Sequence, residues 1–228
     1  MNRKIRNALE QFCVETFGVK PDYNAMEPMV DALDRQVLHN YFGNTGNWRP
    51  DNKNFKASGE QLIEKVNALR PDSVLDIGCG YNLLKGKIKN LWGIDPYNTE
   101  ADEVIDLMDI RLTGTNDVVL CLGSINFGDQ TEIERKVAKA VSLCKPGGSL
   151  FWRVNPGLTH SRAGAEWVDF FEWNEDKLRE LAIKNDCVCV DVQEDRWRDD
   201  GEGLRYYAQW NRNRNTEAES VSLQNMGR

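Results

Sequence analysis

The amino-acid sequence predicts an α/β fold: a seven-stranded, mostly parallel sheet with helices on both faces, preceded by an N-terminal helical segment. Three observations carry this. Between residues 58 and 210, short apolar runs rich in β-branched residues alternate with stretches of helical periodicity, as in a parallel sheet with crossover helices. The run DVVLCL (117–122) is nearly all apolar, the mark of a strand covered on both faces. The run VLDI (74–77) passes straight into Gly78-Cys79-Gly80, where a side chain would block close approach to the backbone.

Size and composition set the frame. A chain of 228 residues, 40% hydrophobic with seven Trp and eight Phe, buries a sizeable single core. The net charge of −7 weighs against broad adhesion to nucleic acid or an anionic membrane. No apolar run approaches the roughly 20 residues of a membrane span, and the opening MNRKIRNALEQF is too polar for a signal peptide. The six cysteines form no CxxC and have only His39 and His160 for company, so they predict reduced core thiols, no metal site and a cytoplasmic location.

Taken in order, residues 2–17 carry Ile5, Leu9, Phe12, Cys13 and Thr16 at helical spacing, ending near Gly18. A second helix is predicted over 28–41, with Pro28 in its first turn and Met29, Leu33 and Val37 inward. Residues 40–55 read as a loop, either a surface connection or a lid presenting Tyr41, Phe42, Trp48 and Arg49. Ser58 and Gln61 form a capping box for a helix with Leu62, Ile63, Val66 and Leu69 buried, stopped by Pro71. The first strand and its glycine turn follow, then a helix whose first amides face a ligand. LWGI (91–94) is the second strand and VIDLMD (104–109) the third.

After the fourth strand, 117–122, Thr131 and Glu134 suggest a capping box, with Ile133, Val137, Ala140, Val141 and Cys144 as the buried stripe. KPGG (145–148) turns into a fifth strand, 149–154. A polar loop and an aromatic-rich stretch precede a helix over 173–185 with Leu178, Leu181 and Ala182 inward. Residues 187–192 form a sixth strand, and 204–210 a seventh that is half exposed and antiparallel to its neighbour. The predicted organisation is a helical and lid segment (1–57), the α/β domain (58–211) and a disordered polar tail (212–228).

The glycine turn and Asp95 define a nucleoside crevice, since an acid at the tip of the second strand suits a ribose diol. A dinucleotide site wants a third glycine, and that position is Leu83; Asp76 would repel a pyrophosphate and attract an ammonium group. A ligand with an amine at one end and a ribose at the other fits, and S-adenosylmethionine is one. VLDIGCG followed by GID, with LCKPGGSLFW further on, resembles the class I S-adenosylmethionine-dependent methyltransferases, whose sheet is Rossmann-like. Two departures stand out. Asn82 stands where many members have a glycine, and the span from Asp76 to Asp95 is about one helical turn short. The resemblance covers residues 58–210.

The resemblance implies S-adenosyl-L-methionine as cofactor and a transferase of class EC 2.1.1.-. It implies cofactor contacts from Asp76, Gly78, Cys79 and Gly80, from Asp95 and Pro96, from Leu122 and Gly123, and from Asp109 and Ile110 beside the adenine. Asp106 competes with Asp109 for that role, and Asp95 has a second reading as a cap of the turn at Pro96 and Tyr97. Transfer from a sulfonium mainly requires positioning, so no base need be conspicuous. His160, beside Arg162, is the catalytic candidate, with His39 behind it and a surface role open to both. The acceptor is a small molecule, a peptide or an RNA; a DNA base is disfavoured because GSIN (123–126) stands where base aminomethylases carry an [DNS]PP[YFW] motif. Trp167, Phe170, Phe171 and Trp173 either stack on a planar acceptor or pack the sheet flank. The alternatives are a fold that binds S-adenosylmethionine without methylating, an aminopropyl transferase holding a polyamine on Asp129, Asp169 and Glu172, and a nicotinamide-dependent oxidoreductase.

Overall fold

The computed structural model describes residues 2–43, 59–156, 165–196 and 203–214. Two helices open the chain. Asn2 caps α1 (Arg3–Phe17) by accepting from the amides of Lys4 and Ile5, and Gly18 closes it in the left-handed region at φ 70°. Helix α2 spans Tyr23–Gly43, so it starts a turn before Pro28 and carries that proline inside. Asp22 makes the early start possible, since its side chain accepts from the Asn24 amide at 2.9 Å. The buried face of α2 is Met26, Val30, Leu38 and Tyr41, while Met29 and Leu33 are exposed. Of the predicted stripe only Val37 packs inward, partly buried, and the rest is rotated by about one residue. Met26 and Val30 instead pack on Ile5 of α1, and Leu38 and Tyr41 on Ala165 and Val168.

A short 3-10 turn, Glu60–Leu62, leads into α3 (Ile63–Ala68), with Leu62 and Val66 buried and Leu69 exposed. The sheet has six strands among the described residues, in the order β2-β1-β3-β4-β6-β5. They are β1 (Val74–Ile77), β2 (Leu91–Ile94), β3 (Asn116–Leu122), β4 (Cys144–Val154), β5 (Cys187–Arg196) and β6 (Leu204–Arg212). The first four pair in parallel; β6 runs antiparallel to both β4 and β5, so the sheet is mixed. The predicted third strand is absent. Residues 107–109 form a 3-10 turn because the Asp106 side chain captures the Met108 amide at 2.8 Å, and the isolated bridge to the sheet, Ile94 to Glu103, falls just before the predicted strand.

A second correction lies between β1 and β2. Residues 78–90 form a chain of turns, not a helix. Gly78, Gly80, Asn82, Gly86 and Asn90 all have φ between 54° and 78°, a region no α-helix uses. Thirteen residues with five left-handed positions leave no room for helical turns, which also explains the short span from Asp76 to Asp95. Asn82, at φ 54°, adopts the conformation a glycine would supply, and Asn is among the few other residues that tolerate it.

Helix α4 (Gln130–Leu143) begins two residues before the predicted box. Asp129 is the cap, accepting from the Glu132 amide while Glu132 reaches back. Its stripe Ile133, Val137, Ala140, Val141 and the following Cys144 are all buried, as their spacing predicts. The KPGG turn falls inside β4 as a shift of register against β3, with Gly147 at φ 79°. Helix α5 (Glu175–Lys184), capped by Asn174, buries Leu178, Leu181 and Ala182.

The larger core lies on one face of the sheet beneath α4 and α5, with Trp152 and Trp210 packed at 4.5 Å between ring centroids. The smaller core, Leu62, Val66, Val74, Leu91, Val118, Leu120, Phe151 and Tyr207, lies on the opposite face under α3. Both faces of β1 and β3 are thus covered, as their apolar runs require. Since β1 connects to β2 on one side and neighbours β3 on the other, the chain direction switches at the carboxyl ends of β1 and β3. Open α/β sheets form their ligand crevice at that point. Among the described residues no helix is long and apolar enough to cross a membrane.

Candidate functional site

A crevice opens at that switch point. Its walls include Asp76, Gly78, Cys79 and Gly80 from the β1 tip, Asp95, Pro96 and Tyr97 from the β2 tip, and Leu122 and Gly123 from the β3 tip. Eight of the ten residues assigned to cofactor contact therefore line one cavity. Asp109 and Ile110 do not line it: Asp109 is exposed, and Ile110 packs against the larger core. The competing Asp106 is likewise exposed and spent on its 3-10 cap.

Asp76 is 4% exposed and receives no hydrogen bond from any described residue. Burial, with the nearby charge of Asp95 added, pushes its carboxyl up to about 7. Such a group calls for a cation. Gly78, at φ 71°, is the close-approach point, since a Cβ there would sit 2.4 Å from the Ser124 Cβ.

Asp95, 9% exposed, is tied down by backbone amides. Its Oδ1 accepts from Tyr97 at 2.8 Å and from Asn98 at 3.0 Å, and its Oδ2 accepts from Gly80 at 3.0 Å. The turn-cap role is thus real. Two lone-pair sites serve each oxygen, so Oδ2 keeps one acceptor position toward the crevice. Behind it, Asp102 gathers the Gly93 amide at 2.8 Å, the Asn82 amide group at 3.2 Å and the Lys85 ammonium at 2.9 Å. These bonds pull the Asp102 carboxyl below the usual range against a desolvation penalty. Nothing in the sequence pattern marked this residue, which fixes the 78–90 turns against β2.

The crevice roof is aromatic. Phe42, at the end of α2, stacks on Tyr97 at 6.1 Å and meets Phe127 at 5.2 Å, and Tyr41 reaches Phe170 at 6.4 Å. The Lys136 ammonium holds Phe127 from behind, 4.8 Å from its ring centroid. The aromatic-rich stretch divides between the two uses foreseen for it. Phe170 lines the crevice, Phe171 and Trp173 are core, and Trp167 is 45% exposed. This stretch is strapped to the β3–α4 loop by Gly128 N to Asp169 O (2.7 Å), Phe171 N to Asn126 O (2.9 Å) and Trp173 Nε1 to Ile125 O (2.9 Å).

Two further lining residues escaped the sequence reading. Asn126, 4% exposed, donates to the Gly123 carbonyl at 3.1 Å and accepts from the Asn155 amide at 3.1 Å, locking the β3 and β4 tips together. Arg153, 8% exposed, lies at the β4 tip with a guanidinium nitrogen 2.6 Å from where a Gly123 Cβ would be. Their pattern signals were nil, because each sits in a run that reads simply as loop or strand.

The histidines offer little chemistry among the described residues. His39 is exposed on α2, edge-on to Tyr97 at 5.8 Å. His160, Arg162, Trp48 and Arg49 lie outside the described residues, as does the Ser58 cap. The polyamine acids are otherwise occupied or remote: Asp129 caps α4, Asp169 accepts from the Arg3 side chain at 3.2 Å, and Glu172 is exposed. All six cysteines are free, and burial raises the thiols of Cys79, Cys121, Cys144, Cys187 and Cys189, which keeps them protonated and poor nucleophiles.

No family model matches the chain, and no curated protein matches its sequence. Solved structures do match. The Burkholderia thailandensis 1,6-didemethyltoxoflavin-N1-methyltransferase, with bound 1,6-didemethyltoxoflavin and S-adenosylhomocysteine, superposes at TM-score 0.61 with 16% identity, covering 86% of this chain and 93% of that one. The N-methyltransferase NodS from Bradyrhizobium japonicum, in complex with S-adenosylhomocysteine, gives 0.58 at 15% identity over 80% and 97% of the two chains. Magnesium protoporphyrin IX methyltransferase from Synechocystis, with bound S-adenosylhomocysteine, gives 0.59 at 19% identity over 78% and 99%. At these identities the likeness concerns backbone architecture, and it agrees with the order of motifs along the chain. The chain has the Rossmann-like fold of the class I S-adenosylmethionine-dependent methyltransferases.

Proposed function

We propose that the chain is an S-adenosyl-L-methionine-dependent methyltransferase, EC 2.1.1.-, acting on a small-molecule acceptor. One observation carries the reading: Asp76, a buried carboxylate without a donor among the described residues, lies beside a glycine turn in which Gly78 has no room for a Cβ against Ser124. An ammonium group supplies the missing counter-charge, and a phosphate in its place would be repelled. The residues present fit the cofactor. Asp76 would hold the amine, with Gly78, Cys79 and Gly80 lining the same cavity. Asp95 would take a ribose hydroxyl on Oδ2, and Pro96, Leu122 and Gly123 complete the walls.

When bound, the cofactor supplies an electrophilic methyl carbon and its own leaving group. The protein's part is to exclude water and align the acceptor, a task suited to the roof of Tyr41, Phe42, Tyr97, Phe127 and Phe170. The domain limits proposed from the sequence place this machinery in 58–211, with 1–57 as the cover. A small-molecule acceptor is favoured because the structures of like fold include a 1,6-didemethyltoxoflavin-N1-methyltransferase and a magnesium protoporphyrin IX methyltransferase, and because a net charge of −7 weighs against nucleic acid. The aminopropyl and nicotinamide alternatives gain no support, since among the described residues no acid triad lines the crevice and Asp76 opposes a pyrophosphate.

Isothermal titration with S-adenosylhomocysteine tests the reading. Binding at micromolar Kd or tighter, with no competition from NADH, is the expected result. Binding of NADH alone overturns it.

A further inference from the structure

The cofactor reading leaves one charged group in the crevice without a task. Arg153 projects from the tip of β4, between Leu122 of β3 and Tyr207 of β6, its register partners on either side. It is 8% exposed, and its Nε has no hydrogen-bond partner. Among the described residues no carboxylate forms an ion pair with it. Its neighbours include a second cation, Arg205, and the Tyr207 hydroxyl, a neutral group that accepts a hydrogen bond from it without supplying a counter-charge; Asp195 acts on it only through its charge. Burial and the charge of Arg205 together press its guanidinium down to about 10, the direction expected of a cation in want of an anion.

The surroundings keep the guanidinium open to the crevice. At Gly123 (φ 106°) a Cβ would stand 2.6 Å from the Arg153 Nη1, so glycine leaves the group its place. Asn126 stands beside the same point, its Nδ2 3.7 Å away, and is held by bonds to Gly123 and Asn155. A buried guanidinium left unpaired costs several kcal/mol, whereas a carboxylate or phosphate engages its fork bidentately.

Position along the sheet says which molecule brings that anion. The ribose acceptor, Asp95, is on β2, and the amine acceptor, Asp76, is on β1, so the proposed cofactor lies across the β2–β1 side. Arg153 is on β4, with β3 between it and Asp76, while Phe127 and Phe170 roof the same cavity. We propose that the methyl acceptor carries a carboxylate or phosphate that seats on Arg153, beneath the aromatic roof. This rests on the methyltransferase reading above. The rival source of the same chemistry is the cofactor's own carboxylate.

Titration of S-adenosylhomocysteine into wild type, Arg153→Gln and Arg153→Lys separates the two sources. If the acceptor supplies the anion, all three bind it within threefold. A tenfold or greater loss in Arg153→Gln assigns Arg153 to the cofactor carboxylate and overturns the proposal. Failure of wild type to bind is a different result, striking the methyltransferase reading itself. The second arm titrates benzoate, phenyl phosphate and the neutral benzamide into protein saturated with S-adenosylhomocysteine. At least one anion should bind wild type ten times more tightly than benzamide does. Arg153→Gln should lose that preference, and Arg153→Lys, which keeps charge without the fork, should retain part of it. Equal binding of benzoate and benzamide, or an anion preference that survives Arg153→Gln, overturns the proposal. Folding is checked by thermal melts without ligand, where Arg153→Gln should match or exceed wild type because it removes an unpaired buried charge.

Discussion

Asp76 at the tip of β1 and Asp95 at the tip of β2 are nearly equally buried, at 4% and 9% exposure, and face one crevice. Asp95 is surrounded by three backbone amides; Asp76 has none. The first is part of the scaffold and offers a ligand what is left over. The second is held at a cost that protonation or a cation relieves. Burial therefore does not distinguish a brace from a binding group, and the count of donors around the carboxylate does.

The contrast is best strained first at the β1 tip. Gly78→Val places a branched side chain at φ 71° and 2.4 Å from Ser124, so S-adenosylhomocysteine affinity should fall more than a hundredfold. A folded variant that binds within threefold of wild type would show that the tip is not approached.

Asp76→Asn should lose affinity by about one to two powers of ten, the worth of a charge-assisted bond of roughly 1.5–3 kcal/mol. Its stability should move the other way. The folded-state pKa of about 7 lies above the unfolded value near 3.8. The unfolded chain thus gives up its proton first, and wild type loses stability as pH rises from about 4 to 7. The asparagine variant lacks this loss, and at pH 8 its ligand-free Tm should exceed wild type by about 5–10 °C. Wild-type affinity should weaken as pH drops below about 7, where Asp76 becomes neutral. A variant less stable than wild type at pH 8 would mean Asp76 is paired in the fold after all.

At the β2 tip the balance reverses. Asp95→Ala strips acceptors from Gly80, Tyr97 and Asn98, and Tm should fall by about 8 °C. Affinity in the folded fraction should drop only about tenfold, one hydrogen bond on Oδ2 being lost. An unchanged Tm with a hundredfold weaker affinity would make Asp95 the binding group and erase the contrast. Asp109→Ala, outside the crevice, is the smallest case. Its affinity by the same titration should stay within twofold of wild type, and a larger change would place the adenine beyond the cavity walls.

The walls of the crevice were readable because their parts are local. VLDI, the glycine turn and GID are each legible within a few residues, and eight of the ten residues assigned to cofactor contact gather in one crevice. Where readings failed, a side chain had taken over a backbone amide. Asp106 turned a predicted strand into a 3-10 turn, and Asp129 moved the start of α4 back from Thr131. The helix expected after Gly80 was excluded by left-handed residues whose φ values no periodicity reveals. In α2 the apolar spacing was right, but two adjacent stripes qualify and only docking against α1 and 165–170 chooses. The acceptor half was unreadable for a different reason. Arg153 sits in SLFWRV, which announces a strand, and its meaning depends on Gly123, Arg205 and Tyr207 brought from elsewhere in the chain.

The turns of residues 78–90 bear on ligand choice through electrostatics. An α-helix beginning at the glycine turn would aim a macrodipole of about half a positive charge at the crevice, the device by which nucleotide sites hold phosphates. Here five left-handed positions interrupt the segment, so its peptide dipoles cannot align as they do along a helix axis. No fixed positive pole competes with Asp76, whose carboxylate then dominates the local potential. The loss of one helix thereby biases this end of the crevice toward cations, and a pyrophosphate would meet a negative field where related architectures present a positive one.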